Sequence, residues 1–296
     1  VTATVHFFGG CEAQARALAS ALGISCEPVS VRSFPDGESL VRVAGTAATA
    51  LLYCSLDQPD SKLIQLLLAA SALRDEGAAQ IVLIAPYLGY MRQDRAFQPG
   101  EAVSQRVIGT LIAANFDALV TVDPHLHRTP TLDAVMPGIV AVNVSAAGII
   151  AQSLSATFSP DTLLVGPDEE SRAWVEAVAG PLRLEVMVGR KVRHGDRSVV
   201  IKLPRIDRVA GRPAMLVDDL ISSGGTLIAC ATQLIAAGAS SVGAVATHCL
   251  ASKADLETIA ASGIAPVLAT DTVPGPVARI SIAPALADAI RDAGLV

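Results

Sequence analysis

Met215-Leu216-Val217-Asp218-Asp219-Leu220-Ile221-Ser222-Ser223-Gly224-Gly225-Thr226 reads as a buried strand ending in two acids, then a loop of small residues, then an apolar helix from Leu227 onward. A loop of Ser, Gly and Thr that opens a helix aims several backbone N–H groups at one spot, where the helix dipole also favours an anion. A phosphate suits that spot. The two carboxylates before it would repel a phosphate, so they are expected to grip sugar hydroxyls, directly or through a divalent cation. Strand, acids and nest together point to a sugar phosphate. Taken alone, Ser-Ser-Gly-Gly-Thr would read as a helix N-cap with flexible neighbours, and it is the preceding Asp218-Asp219 that shifts the reading. Within the loop, Gly225 is expected to be the position where a β-branched side chain blocks the backbone conformation of the nest.

Working outward, the same order of elements occurs twice. Thr4 to Phe8, Gly9-Gly10 and Glu12 to Leu22 read as strand, glycine loop and helix. An arm or hairpin follows, from Pro28 through Phe34-Pro35-Asp36-Gly37-Glu38 to Val43. Leu51 to Leu56, Leu63 to Asp75 and Ile81 to Ala85 then alternate strand, helix and strand, the pattern of a parallel sheet. The second half repeats this with Leu163 to Gly166, Ser171 to Val178, an extended arm from Glu185 to Leu203, the Met215 strand, the Leu227 helix and Val242 to Ala246. Asp57 and Asp218, and the pairs Gly77-Ala78 and Gly238-Ala239, share one offset of 161 residues (218 − 57 and 238 − 77). Farther on, Ala118 to Asp123 and Val267 to Asp271 are both apolar strands ending in an acid. Tandem copies of one α/β domain are therefore expected, at 1–145 and 146–278, with 279–296 packing back on the first. Ligands of such sheets sit at the carboxyl ends of the strands, so the loops after Val165, Val217, Ala85 and Val122 carry the candidate chemistry. Where the second copy has its Ser-Gly nest, the first has Ser61-Lys62-Leu63-Ile64-Gln65, with no glycine to supply positive φ.

Composition narrows the class of partner. With 296 residues, half of them apolar, the chain can build two cores of ordinary size. A net charge of −6 without any Lys/Arg cluster argues against a nucleic acid partner. The longest apolar stretch, Leu63 to Leu73, is too short to cross a bilayer, and no signal-peptide pattern is present. Cys11, Cys26, Cys54, Cys230 and Cys249 lack ligand spacing and read as reduced thiols, so a cytoplasmic location is expected.

Three further segments acquire meaning in combination. Tyr90-Met91-Arg92-Gln93-Asp94-Arg95 could be a polar loop whose charges pair among themselves. Functionally, Arg92 could stack on a base and hold a phosphate, with Gln93 as its hydrogen-bonding neighbour. Phe34 to Glu38 alone would be a turn with solvated acids, and Lys191 and Arg193 alone a solvated basic arm. Together with Asp123-Pro124-His125, Gly166-Pro167-Asp168 and the nest, they resemble, over the whole chain, the ribose-phosphate diphosphokinase family, built from two type I phosphoribosyltransferase-like domains, each a mainly parallel sheet flanked by helices.

That resemblance implies transfer of the diphosphoryl group of ATP to the 1-hydroxyl of ribose 5-phosphate, with Mg²⁺ as cofactor. It assigns Phe34, Asp36, Gly37 and Glu38 to an arm reaching a neighbouring subunit's ATP site, and Arg92, Gln93 and Asp94 to ATP. His125 and Asp168 become metal ligands, Lys191 and Arg193 catalytic cations, and Asp218, Asp219, Ser222, Ser223, Gly224, Gly225 and Thr226 the ribose 5-phosphate site. His127 competes with His125, but in an extended segment the two point to opposite sides, and the family match favours His125. The borrowed arm implies a homo-oligomer, a dimer at minimum. Departures from the family pattern are Ser222 in place of an acid, Glu169 and Glu170 in place of glycines, and Pro124 and Leu126-His127 around the histidine. Two rivals remain: a phosphoribosyltransferase that consumes phosphoribosyl diphosphate, which leaves Arg92-Gln93 unexplained, and an inactive regulatory homologue, which would be expected to have lost Lys191, Arg193 or His125.

Overall fold

The computed structural model describes every residue except Val1, Thr46, His127 and 195–197; of residues 191–194 and 198–200 it describes the backbone alone. The chain forms two compact units, the first comprising Val1–Ser145, Thr272–Pro274 and Ser281–Val296, the second Ala146–Asp271 and Gly275–Ile280.

In unit 1 the elements run β1 (Ala3–Phe7), α1 (Glu12–Leu22), β2 (Ser25–Pro28), β3 (Ser30–Ser33), β4 (Ser39–Arg42), β5 (Thr49–Tyr53), α2 (Pro59–Asp75), β6 (Gln80–Ala85), α3 (Ser104–Ala113), β7 (Ala118–Val122) and β8 (Val140–Val144). Six of these strands form one sheet in the order β2-β1-β5-β6-β7-β8, every pair parallel. β5 and β7 are buried throughout, as expected where helices cover both faces of a parallel sheet. Leu52, Leu66, Leu73, Leu83 and Ile112 are among the residues of the core on one side.

Unit 2 runs α4 (Ala147–Leu154), β9 (Leu163–Gly166), α5 (Arg172–Leu182), β10 (Glu185–Val188), β11 (Arg190–His194), β12 (Ser198–Lys202), β13 (Pro213–Ile221), α6 (Gly225–Ala236), β14 (Ser241–Cys249), α7 (Lys253–Ala261), β15 (Ile264–Thr270) and β16 (Ala278–Ile280). Its sheet has the order β10-β9-β13-β14-β15-β16, again all parallel, which is the strand order of unit 1 repeated. The duplication read in the sequence is thus a duplication of topology. In each copy an antiparallel ribbon, β3/β4 or β11/β12, stands apart from the main sheet. A last helix, α8 (Ala283–Asp292), belongs to unit 1, where it packs on α1 and buries Leu286, Ala287 and Ile290.

Among the boundaries that differ from the sequence reading, such as α2 starting at Pro59 rather than Leu63, two bear directly on the pocket of unit 2. The strand does not end at the acids: β14 continues alongside to Cys249, and β13 stays paired with it through Asp218↔Ala246, Leu220↔His248 and Ile221↔Cys249. The helix begins at Gly225 rather than Leu227, because Gly224 takes the left-handed conformation (φ 79°) and turns the chain into α6 at once.

Candidate active site

The loop between β13 and α6 lines a pocket of about 330 Å³ bounded by Asp218, Leu220, Ile221, Ser222, Ser223, Gly224, Gly225, Thr226 and Leu227. No side chain caps α6, so its first backbone N–H groups are left for a ligand. The first helical bond, from the Ile228 N–H to the Gly224 carbonyl at 2.9 Å, fixes the turn. Gly224, not Gly225, is the residue the geometry requires. Its φ is 79°, and a Cβ there would lie 2.5 Å from Ile259 Cδ1, whereas a Cβ on Gly225 meets nothing within 4 Å.

Asp168 and Asp219 act on the buried Asp218 beside this pocket. Burial, then the charges of Asp219 and Asp168, push the Asp218 carboxyl well above the usual carboxylate range. Asp218 Oδ1 accepts from the Asp219 N–H at 3.0 Å. Asp168 is 8 % exposed, and its Oδ1 accepts from the N–H groups of Glu170 (3.0 Å) and Ser171 (3.2 Å), capping the 3-10 turn that leads into α5. Glu169 and Glu170 are the first two of the three residues of that turn, and Arg172 pairs with Glu169 at 2.9 Å.

Unit 1 shows why only one copy keeps the nest. α2 and α6 end in register, at Asp75 and Ala236, yet α2 has 17 residues and α6 12. The extra first turn of α2 occupies the register of the nest. There Lys62, which stands at the position of Ser223, donates to the Ser55 carbonyl at 2.9 Å and to Asp57 Oδ1 at 2.7 Å, and Asp57 stands at the position of Asp218. A built-in ammonium satisfies the acid that in unit 2 remains available to a ligand. The common offset of 161 residues is the signal that pairs these positions.

At the same end of the unit 1 sheet, the three loops after β5, β6 and β7 each hold a non-glycine residue at positive φ: Gln58 (49°), Tyr90 (66°) and Asp123 (37°). Such conformations persist only where surrounding contacts fix them. The contacts are present: Leu56 N–H donates to the Tyr87 carbonyl at 2.8 Å, the Tyr90 hydroxyl bonds Asp60, and a Cβ on Gly89 would sit 2.6 Å from the Leu56 carbonyl oxygen. Gln93 is held from α3, with the Ser104 hydroxyl donating to its Oε1 at 2.8 Å and the Gln105 N–H to its carbonyl at 3.2 Å. Arg92 is exposed on this rigid loop and makes no ion pair or hydrogen bond among the described residues. Asp94 is turned inward: its side chain is 5 % exposed and paired with Arg128 at 3.0 Å. In this structure Asp94 braces the loop, and its partner, 34 positions away, gives no local signal in the sequence.

The remaining candidates sit as follows. Phe34, Asp36, Gly37 and Glu38 form the exposed tip of the β3/β4 ribbon, closed by the Phe34 N–H on the Glu38 carbonyl at 2.8 Å, with Arg32 over the Phe34 ring. His125 follows Asp123 in the loop after β7 of unit 1 and is half-buried; His127 lies outside the described residues. Lys191 and Arg193 lie on β11, backbone-paired with Ile201 and Val199, and their side chains lie outside the described part. Among the described residues no set of three His, Cys, Asp or Glu side chains forms a metal cage. The oxygen donors of unit 2 instead suit a hard cation that keeps waters and takes ligand phosphates.

The fold defines a protein of two tandem type I phosphoribosyltransferase-like domains, one of which carries an open pocket at a helix N-terminus. The family model for the N-terminal domain of ribose phosphate pyrophosphokinase matches residues 7–115, and that for the phosphoribosyl synthetase-associated domain matches 197–291. The ribose-phosphate pyrophosphokinase of Methanopyrus kandleri is 38% identical over 280 residues, 94% of each chain, and that of Thermococcus kodakarensis 35% identical over 259 residues, covering 87% of this chain and 90% of the other. The crystal structure of phosphoribosylpyrophosphate synthetase from Mycobacterium smegmatis matches with a TM-score of 0.84 at 25% identity, covering 99% of both chains. The chain belongs to the ribose-phosphate pyrophosphokinase family.

Proposed function

We propose that the two units divide the family's reaction between them, unit 2 holding the acceptor and unit 1 the donor. The reaction is transfer of the diphosphoryl group of ATP to the 1-hydroxyl of ribose 5-phosphate, giving 5-phosphoribosyl 1-diphosphate and AMP. The observation that carries this division is the open pocket at the α6 N-terminus beside Asp218 and Asp219, set against the same register in unit 1, which Lys62 fills.

The α6 amides and the Ser222 to Thr226 loop bind the 5-phosphate. Asp218 and Asp219 hold the ribose hydroxyls and aim the 1-hydroxyl at the β-phosphorus. Arg92 and Gln93 bind ATP, and the Phe34 tip, with Asp36 and Glu38, completes the ATP site of a neighbouring copy, so the working form is at least a dimer. In-line displacement at phosphorus needs placement and charge stabilisation more than covalent help, and Lys191 and Arg193 supply cationic charge to the transferred and leaving oxygens. Asp168 and His125 are the residues that would hold Mg²⁺, which would supply charge neutralisation on the triphosphate. No helix among the described residues is long and apolar enough to cross a membrane, and a cytoplasmic location, where ATP is available, belongs to the same proposal.

Asp218→Asn separates function from stability. Because the native carboxyl is raised, its ionised form costs stability as pH rises from the ordinary carboxylate range through the native pKa. Without added metal, the amide is expected to raise Tm at neutral pH by about a few degrees, a gain that fades in acid, where the carboxyl is protonated in both states. Turnover with ribose 5-phosphate should fall roughly a hundredfold. Undiminished turnover in a coupled AMP assay would remove Asp218 from the acceptor site.

A further inference from the structure

Parallel pairing between β9 and β13 stops at Val165↔Leu216, because β9 ends at Gly166 and the chain turns away into the Asp168 cap. β13 runs on to Ile221 with β14 still beside it. It is on this extension that Asp218 and Asp219 lie, and α5 returns to support it: the indole Nε1–H of Trp174 donates to the main-chain carbonyl of Asp218 at 3.0 Å. The same residue's Oδ1 accepts from the Asp219 N–H, so the Asp218–Asp219 peptide is fixed from its carbonyl by the indole and from its amide by a carboxylate. Fixing a peptide plane fixes the two Cα atoms in it, and on a strand already paired with β14 this sets the direction of each Cβ.

We infer that Trp174 is a positioning residue for the ribose subsite: its N–H sets the peptide from which both carboxylates project, and its ring reports occupancy of that subsite. This rests on the reading that the acid pair holds the ribose. Trp174 is half-buried, so the aromatic packing survives replacement by Phe while the donor is lost. It is also the only tryptophan in the chain, so selective excitation of indole fluorescence reads this position alone.

The test uses the full chain as wild type and Trp174→Phe, with ribose 5-phosphate as the probe. Calorimetric titration should show saturable binding to the wild type, and indole fluorescence should change with the same midpoint. Trp174→Phe should weaken binding and raise the KM for ribose 5-phosphate about five- to tenfold, leave the KM for ATP within about twofold, and barely move Tm. Equal affinity of the two proteins, or calorimetric binding to the wild type without a fluorescence change, would overturn the inference while leaving the acceptor site in place. So would a parallel rise of both KM values with a lowered Tm, which marks a merely structural indole. No calorimetric binding to the wild type would overturn the acceptor assignment and this inference with it.

Discussion

Gly224→Val is expected to raise the KM for ribose 5-phosphate about a hundredfold while leaving the KM for ATP within about twofold. Two independent obstacles act at this one position. The φ of 79° is a region that β-branched residues almost never enter, and the new Cβ would meet Ile259 Cδ1 at 2.5 Å in a fully buried part of the core. The chain can relieve both by unwinding the start of α6, which scatters the amides that form the nest. Steady-state kinetics with each substrate varied in turn, alongside a melting curve, separates this from global unfolding. An unchanged KM for ribose 5-phosphate in a folded variant would place the 5-phosphate elsewhere.

Lys191→Ala is expected to cut kcat about a thousandfold with little change in either KM. A cation that acts on charge developing during transfer contributes to the transition state more than to binding, and removing one such group typically costs that much. Lys191 sits on the β11/β12 ribbon, outside both six-stranded sheets, so the cores and the melting temperature should be preserved. Single-turnover formation of AMP from ATP and ribose 5-phosphate measures the step directly. Retention of more than about a tenth of wild-type kcat would exclude a catalytic role.

Much of the architecture is legible in the chain because hydrophobic pattern is a local signal. Glu12–Leu22 folds as the helix its periodicity predicts, and the offset shared by Asp57 and Asp218 marks a repeat that the two strand orders reproduce. The site is legible to the extent that it, too, is local: the strand, the acids and the glycine loop are contiguous. What the sequence hides depends on partners far along the chain. Asp94 faces inward only because Arg128 meets it, and Trp174 reaches Asp218 across 44 positions. Adjacent glycines are likewise indistinguishable by type. Which of Gly224 and Gly225 carries the positive φ is decided by where α6 begins, and small residues carry no periodic signal to mark that start. The register of the two copies puts Lys62, just ahead of the helix read from Leu63, at the position of Ser223, but its residue type alone does not show that it pairs with Asp57.

The most direct test of the division between donor and acceptor units is product analysis by phosphorus NMR. The protein is incubated with ATP, ribose 5-phosphate and Mg²⁺, and the products of wild type and Gly224→Val are compared. Wild type should yield AMP and 5-phosphoribosyl 1-diphosphate in equal amounts, and the variant should approach that yield only when ribose 5-phosphate is raised about a hundredfold. Formation of ADP in place of AMP, or a variant rescued by ATP rather than by ribose 5-phosphate, would contradict it.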